Sequence, residues 1–128
     1  MLRAMPVERA DDHPTFEIGG NTVTSYAAPA RGSEETALFR IDLPPGSGLP
    51  PHRHDHFDVF TLVEGTGELH LGDDIHGLVP GDSAVIPTGE LHWLVAGSEG
   101  AAIVVTMVPR TRLIREADGV EMIPPWVS

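Results

Sequence analysis

Apolar and polar positions alternate along this chain in short runs, and each run is cut by glycine or proline before it grows long. Period-two alternation between turn residues marks half-buried strands. The pattern predicts strands over residues 15–18 and 22–26, flanking Gly19-Gly20-Asn21, a turn whose residues tolerate positive φ. A third covers 37–43 and ends at Pro44-Pro45-Gly46. Further runs at 58–63, 68–71, 75–79, 83–86, 92–95 and 101–108 follow at the spacing of sandwiches and barrels. Gly65-Thr66-Gly67, Gly72-Asp73-Asp74, Pro80-Gly81-Asp82, Pro87-Thr88-Gly89 and Gly97 to Gly100 are read as the turns between them. No segment before residue 110 carries a helical period, whereas 111–117 is expected to make one or two helical turns stopped near Gly119. The organisation read from this is one all-β domain: an irregular arm over 1–14, a barrel over 15–108, and a tail over 109–128.

Composition narrows the chemistry. The chain has 128 residues, enough for one domain with a sizeable core, and Gly and Pro supply 14 and 12 of them, consistent with frequent turns. There is no cysteine, which excludes disulfides, thiolate ligands and a cysteine nucleophile, so any metal site must use nitrogen and oxygen. The basic residues are all arginine, which removes lysine Schiff-base and lysine general-base mechanisms. A net charge of −11 disfavours nucleic-acid partners, since no basic surface can release counterions. No apolar run approaches a membrane span and no secretory h-region opens the chain, so a soluble, cytoplasmic protein is expected. The tail residues Met122, Ile123, Pro124, Pro125 and Trp126 form an apolar strip expected to dock on the barrel or on a second subunit.

Four of the seven histidines fall in Pro51-His52-Arg53-His54-Asp55-His56-Phe57-Asp58 and Gly89-Glu90-Leu91-His92. In a strand His52 and His54 project from one face, close enough for both imidazoles to reach one ion, and Arg53 points away. Asp58 opens the next apolar run and offers a carboxylate from a neighbouring strand. A closed barrel would bring His92 opposite the pair. Divalent first-row metals accept such a mixed imidazole and carboxylate set. Phe60 and Leu62 share parity with Asp58, and Leu94 shares it with His92, which makes these three candidates for the cavity wall. His13, His70 and His76 are read as ordinary surface positions.

Gly46, five residues, His52-Arg53-His54, three residues, Asp58, six residues and Gly65 resemble the first motif of the cupin family, G-x5-H-x-H-x3-4-E-x6-G. Gly81, five residues, Pro87-Thr88-Gly89, two residues, His92, three residues and Ala96 resemble the second, G-x5-P-x-G-x2-H-x3-N. The likeness extends over roughly residues 15–108. Asp58 replaces the usual Glu, one methylene shorter, and Ala96 the usual Asn. The resemblance implies a double-stranded β-helix, or jelly-roll barrel, holding one divalent ion (Fe²⁺, Mn²⁺, Ni²⁺ or Zn²⁺) on His52, His54, Asp58 and His92. His56 shares strand parity with the first pair and competes with Asp58 for the fourth ligand position, Asp58 being preferred.

Open positions on such an ion suit an enzyme acting on an apolar or aromatic small molecule, either dioxygenase-like or a non-redox isomerase or cyclase. In that reading His56 is the candidate proton carrier, because its ordinary pKa lies near neutrality. The alternative is a non-catalytic cupin that binds a metal or small ligand and reports it. The resemblance also implies a homodimer.

Overall fold

The computed structural model describes residues 7–128; the first six residues of the expected arm lie outside them. The strands are β1 (Thr15–Ile18), β2 (Asn21–Ala27), β3 (Ala37–Leu43), β4 (Gly48–His54), β5 (Asp58–Leu71), β6 (Asp74–Leu78), β7 (Ser83–Ile86), β8 (His92–Met107), β9 (Leu113–Arg115) and β10 (Glu121–Met122). All pairings are antiparallel, in the order β1-β2-β3-β8-β4-β9-β10, with β5 joined to β6, β7 and β8. No helix among the described residues is long and apolar enough to cross a membrane.

Two strands curl the sheet into a jelly-roll barrel. β5 runs for 14 residues and β8 for 16, and they pair along almost their whole lengths, from Asp58↔Met107 to Leu71↔His92. One half of β8 also pairs with β3 and the other with β4, so the long ribbon belongs to two sheet faces at once. The bend is made where the register shifts, between Leu62 and Glu64 and between Gly65 and Gly67. The segments expected as turns there, Gly65-Thr66-Gly67 and Gly97 to Gly100, are instead extended and bulged, which merges four expected strands into two. Gly65 sits at φ +74°, and a Cβ on it would lie 2.0 Å from the carbonyl oxygen of Gly100. The two backbones pass so closely that only glycine fits.

Inward residues of every large strand meet in one core that includes Val23, Phe39, Phe60, Leu62, Leu69, Leu94, Ile103 and Val105. The tail closes one end of it. Trp126 is buried, its ring 5.8 Å from Phe16 and 6.2 Å from Phe39 by centroid, so the end of the apolar strip packs on its own barrel while Met122 and Ile123 stay exposed. The helical turns expected over 111–117 are not formed. Leu113–Arg115 is a strand on the edge of β4 and Glu121–Met122 pairs back onto it. The open edge of β4 offers a row of backbone donors and acceptors, and pairing with it outweighs a weak local helix preference. Near the other terminus, Glu8 accepts from Arg31 at 3.0 Å and Pro14 O accepts from Ser25 N at 2.9 Å, which fastens the described part of the arm to β2.

Candidate metal centre

β4 delivers His52 and His54 from alternate positions to the same interior face. β8 delivers His92 from its first residue, directly opposite His52 in the ladder. Pro50 and Pro51 interrupt that ladder between Leu49 and His52, while Gly89 N donates to His54 O at 2.9 Å and holds the turn before His92 against the end of β4. All three imidazoles are buried, with ring centroids 4.2 to 4.9 Å apart, and their nitrogens can be chosen to lie within 4.8 Å of one another.

Each ring is fixed in orientation by a hydrogen bond at Nδ1. His52 Nδ1 donates to Pro50 O at 2.7 Å, His92 Nδ1 to Glu90 O at 2.9 Å, and His54 Nδ1 to Asp58 Oδ1 at 2.9 Å. A neutral imidazole carries one proton, so these bonds place it on Nδ1 and leave three Nε2 lone pairs for the interior. Burial, reinforced by the neighbouring His92 and His54 rings, pushes the His52 imidazole down from 6.5 to about 3. Burial also lowers His92, against the opposing pull of its bond to Glu90 O. Cationic rings would repel both a metal ion and each other; neutral ones are ligands. The donor set therefore fits one divalent ion of the first transition row.

Asp58 and His56 part company. Asp58 is buried on the first residue of β5, but its short side chain ends at His54 Nδ1, on the far side of the ring from the shared Nε2 face. His56 lies outside: its side chain is 48% exposed and Nδ1 donates to Asp55 Oδ1 at 3.0 Å. Strand parity does not extend to it because β4 ends at His54 and Asp55 turns the chain outward, accepting from Arg112 N at 2.8 Å.

The rings form part of the wall of a cavity of about 320 Å³. Phe60 and Leu94 line it, whereas Leu62 is buried in the core without reaching the wall. Met122 and Trp126 of the apolar tail strip also line it, and so do Leu113 and Arg115, which sequence reasoning passed over. Their signal was alternation in Leu113-Ile114-Arg115, too short to be read as a strand. His70 is not a plain surface residue either, since it stacks on Trp93 at 4.4 Å and 8° on the outer face and bonds Glu68. His13 bonds Glu8 and meets the Tyr26 ring edge-on, and His76 is exposed.

A jelly-roll barrel with three clustered histidines that could hold a metal ion is what the fold and the site define. The chain matches the family described as "Cupin domain" over residues 39–108, more than half its length, and belongs to that family. It is 35% identical over 89 residues to a gentisate 1,2-dioxygenase of Haloferax sp, covering 67% of this chain and 24% of that protein. It is 29% identical over 90 residues to auxin-binding protein 1 of Arabidopsis thaliana, covering 67% of this chain and 45% of that protein. The chain thus spans between about a quarter and a half of the length of these relatives. An RmlC-like cupin from Shewanella frigidimarina has the same fold, with a TM-score of 0.73 over 85% of this chain and 95% of that one at 23% identity.

Proposed function

We propose that this protein is a metal-dependent oxidoreductase of the dioxygenase type, acting on an aromatic or otherwise apolar small molecule. The observation that carries this reading is the convergence of three buried, Nδ1-anchored imidazoles on one face of a largely apolar cavity. His52, His54 and His92 hold the ion, and Asp58 orients His54 rather than serving as a fourth ligand. An ion held by these three would keep positions open, and a redox metal there would supply a path for electrons from the substrate to dioxygen. The chain's own part is to keep the rings unprotonated, to exclude bulk water with Phe60, Leu94 and Trp126, and to hold an apolar ring beside the ion. Likeness to a gentisate 1,2-dioxygenase supports the redox branch. A homodimer belongs to the same reading.

Likeness to auxin-binding protein 1 favours a second reading, a cupin that binds a small ligand without transforming it. Metal analysis of untagged protein, followed by oxygen uptake with a panel of aromatic compounds, separates the two. About one equivalent of iron with substrate-dependent uptake is expected. Tightly held zinc without uptake would leave the binding reading or a non-redox isomerase or cyclase. Stoichiometric metal retained by His54→Ala would overturn the site itself.

A further inference from the structure

Most polar side chains in the cavity wall are already engaged. Asn21 donates Nδ2 to Gly48 O at 3.2 Å and accepts from Ser47 Oγ at 2.7 Å. Thr111 donates Oγ1 to Val108 O at 2.6 Å, and Asp58 is held by His54. Among the described lining residues, what remains for a ligand is the Nε2 face of the three imidazoles, the second oxygen of Asp58 and one cation, Arg115.

The ladder dictates where Arg115 points. β9 pairs with β4 so that Arg115 lies opposite His52 and Leu113 opposite His54. Directly opposed residues of an antiparallel pair leave the sheet on the same face, with Cβ atoms about 5 Å apart. Arg115 therefore projects on the histidine side, and Ile114, opposite Arg53, projects away. Its side chain is 47% exposed, which sets the guanidinium at the mouth of the cavity. There Asp118, in the turn between β9 and β10, receives Nε at 3.0 Å and Nη2 at 2.7 Å. Nη1 makes no hydrogen bond among the described residues.

We propose that Arg115 selects the ligand of this cavity by binding the carboxylate of an aromatic or otherwise apolar acid, whose other end reaches the three histidines. The proposal rests on the metal-site reading and names its substrate class. An exposed ion pair such as Arg115–Asp118 is worth little, so exchanging one carboxylate for another costs little. In a chain of net charge −11, a lone cation at the mouth also offsets the repulsion an incoming anion would meet.

The probe is 3-hydroxybenzoate, whose hydroxyl and carboxylate are too far apart on the ring to chelate one ion, with 3-hydroxybenzamide as its neutral counterpart. Calorimetric titration of cobalt-loaded and metal-free protein is expected to show the acid bound about tenfold more tightly than the amide, as for one charge-assisted contact. Arg115→Gln should abolish that preference with cobalt content and visible spectrum unchanged. Asp118→Asn should strengthen acid binding several-fold, since the asparagine oxygen can still accept from Val120 N while the competing charge is gone. A preference that survives Arg115→Gln, no preference in the unmodified protein, or no gain with Asp118→Asn would each overturn the proposal. Failure to take up cobalt would instead count against the metal site, with the acid preference still readable in the metal-free protein.

Discussion

The three site histidines differ in what holds them. His52 and His92 lean on backbone carbonyls, which any sequence supplies once the loop is built, whereas His54 depends on the Asp58 side chain. Removing a ligand's hydrogen-bond partner typically weakens metal affinity by about 10- to 100-fold. Asp58→Ala, which removes the acceptor, is expected to do that in chelator-competition titrations, with the fold retained; full loss of affinity would make Asp58 a direct ligand. The lowered pKa of His52 sets a pH dependence of the metal-free protein. Unfolded, His52 takes up a proton below 6.5, but folded it stays neutral to about 3. The unfolded state therefore binds more protons across that window, and stability falls as pH drops, by at most about 1.4 kcal/mol per pH unit for each such histidine. His92 is shifted the same way and adds to the slope. Denaturant titrations of the metal-free protein between pH 7.5 and about pH 5 check the sign; a flat profile would refute it.

Among the elements, the β5–β8 ribbon does the most to place the site, because its bend brings the start of β8 back beside β4. Gly65 makes the bend possible by passing against Gly100 at positive φ. Gly65→Ala forces a Cβ into a backbone carbonyl and an unfavourable dihedral, and should cost more than about 2 kcal/mol. Thermal unfolding would register this as a fall of several degrees or more. The β9–β10 hairpin adds the last wall of the cavity and is held to the body by strand pairing with β4.

For the molecule as a whole, the closed interior still leaves several apolar side chains exposed. Ile75, Val79 and Val85, on β6, β7 and the turn between them, are each more than half exposed. The proposed homodimer would cover such a surface. Light scattering should give about twice the 13.7 kDa chain mass at micromolar concentration, and Val85→Asp should return it to one chain mass. A single chain mass throughout would remove the dimer from the reading.

Much of this was legible beforehand. The alternation along 37–43, the glycine and proline punctuation and the two motifs carried the barrel, and the two-residue spacing of His52 and His54 carried their shared face. Those features are local, since a pleat alternates side chains whatever lies beside it. What was not legible depended on non-local contacts. Gly65-Thr66-Gly67 reads as a turn in any short window, and only the approach of Gly100 shows it to be a bulge. Residues 113–115 become a strand only because β4 has an edge to fill, and that pairing is what sets Arg115 beside His52. The three imidazoles and their spacing were written in the chain; where β4 ends, which turns His56 outward, and the bond of Asp58 to His54 Nδ1 came only from the fold.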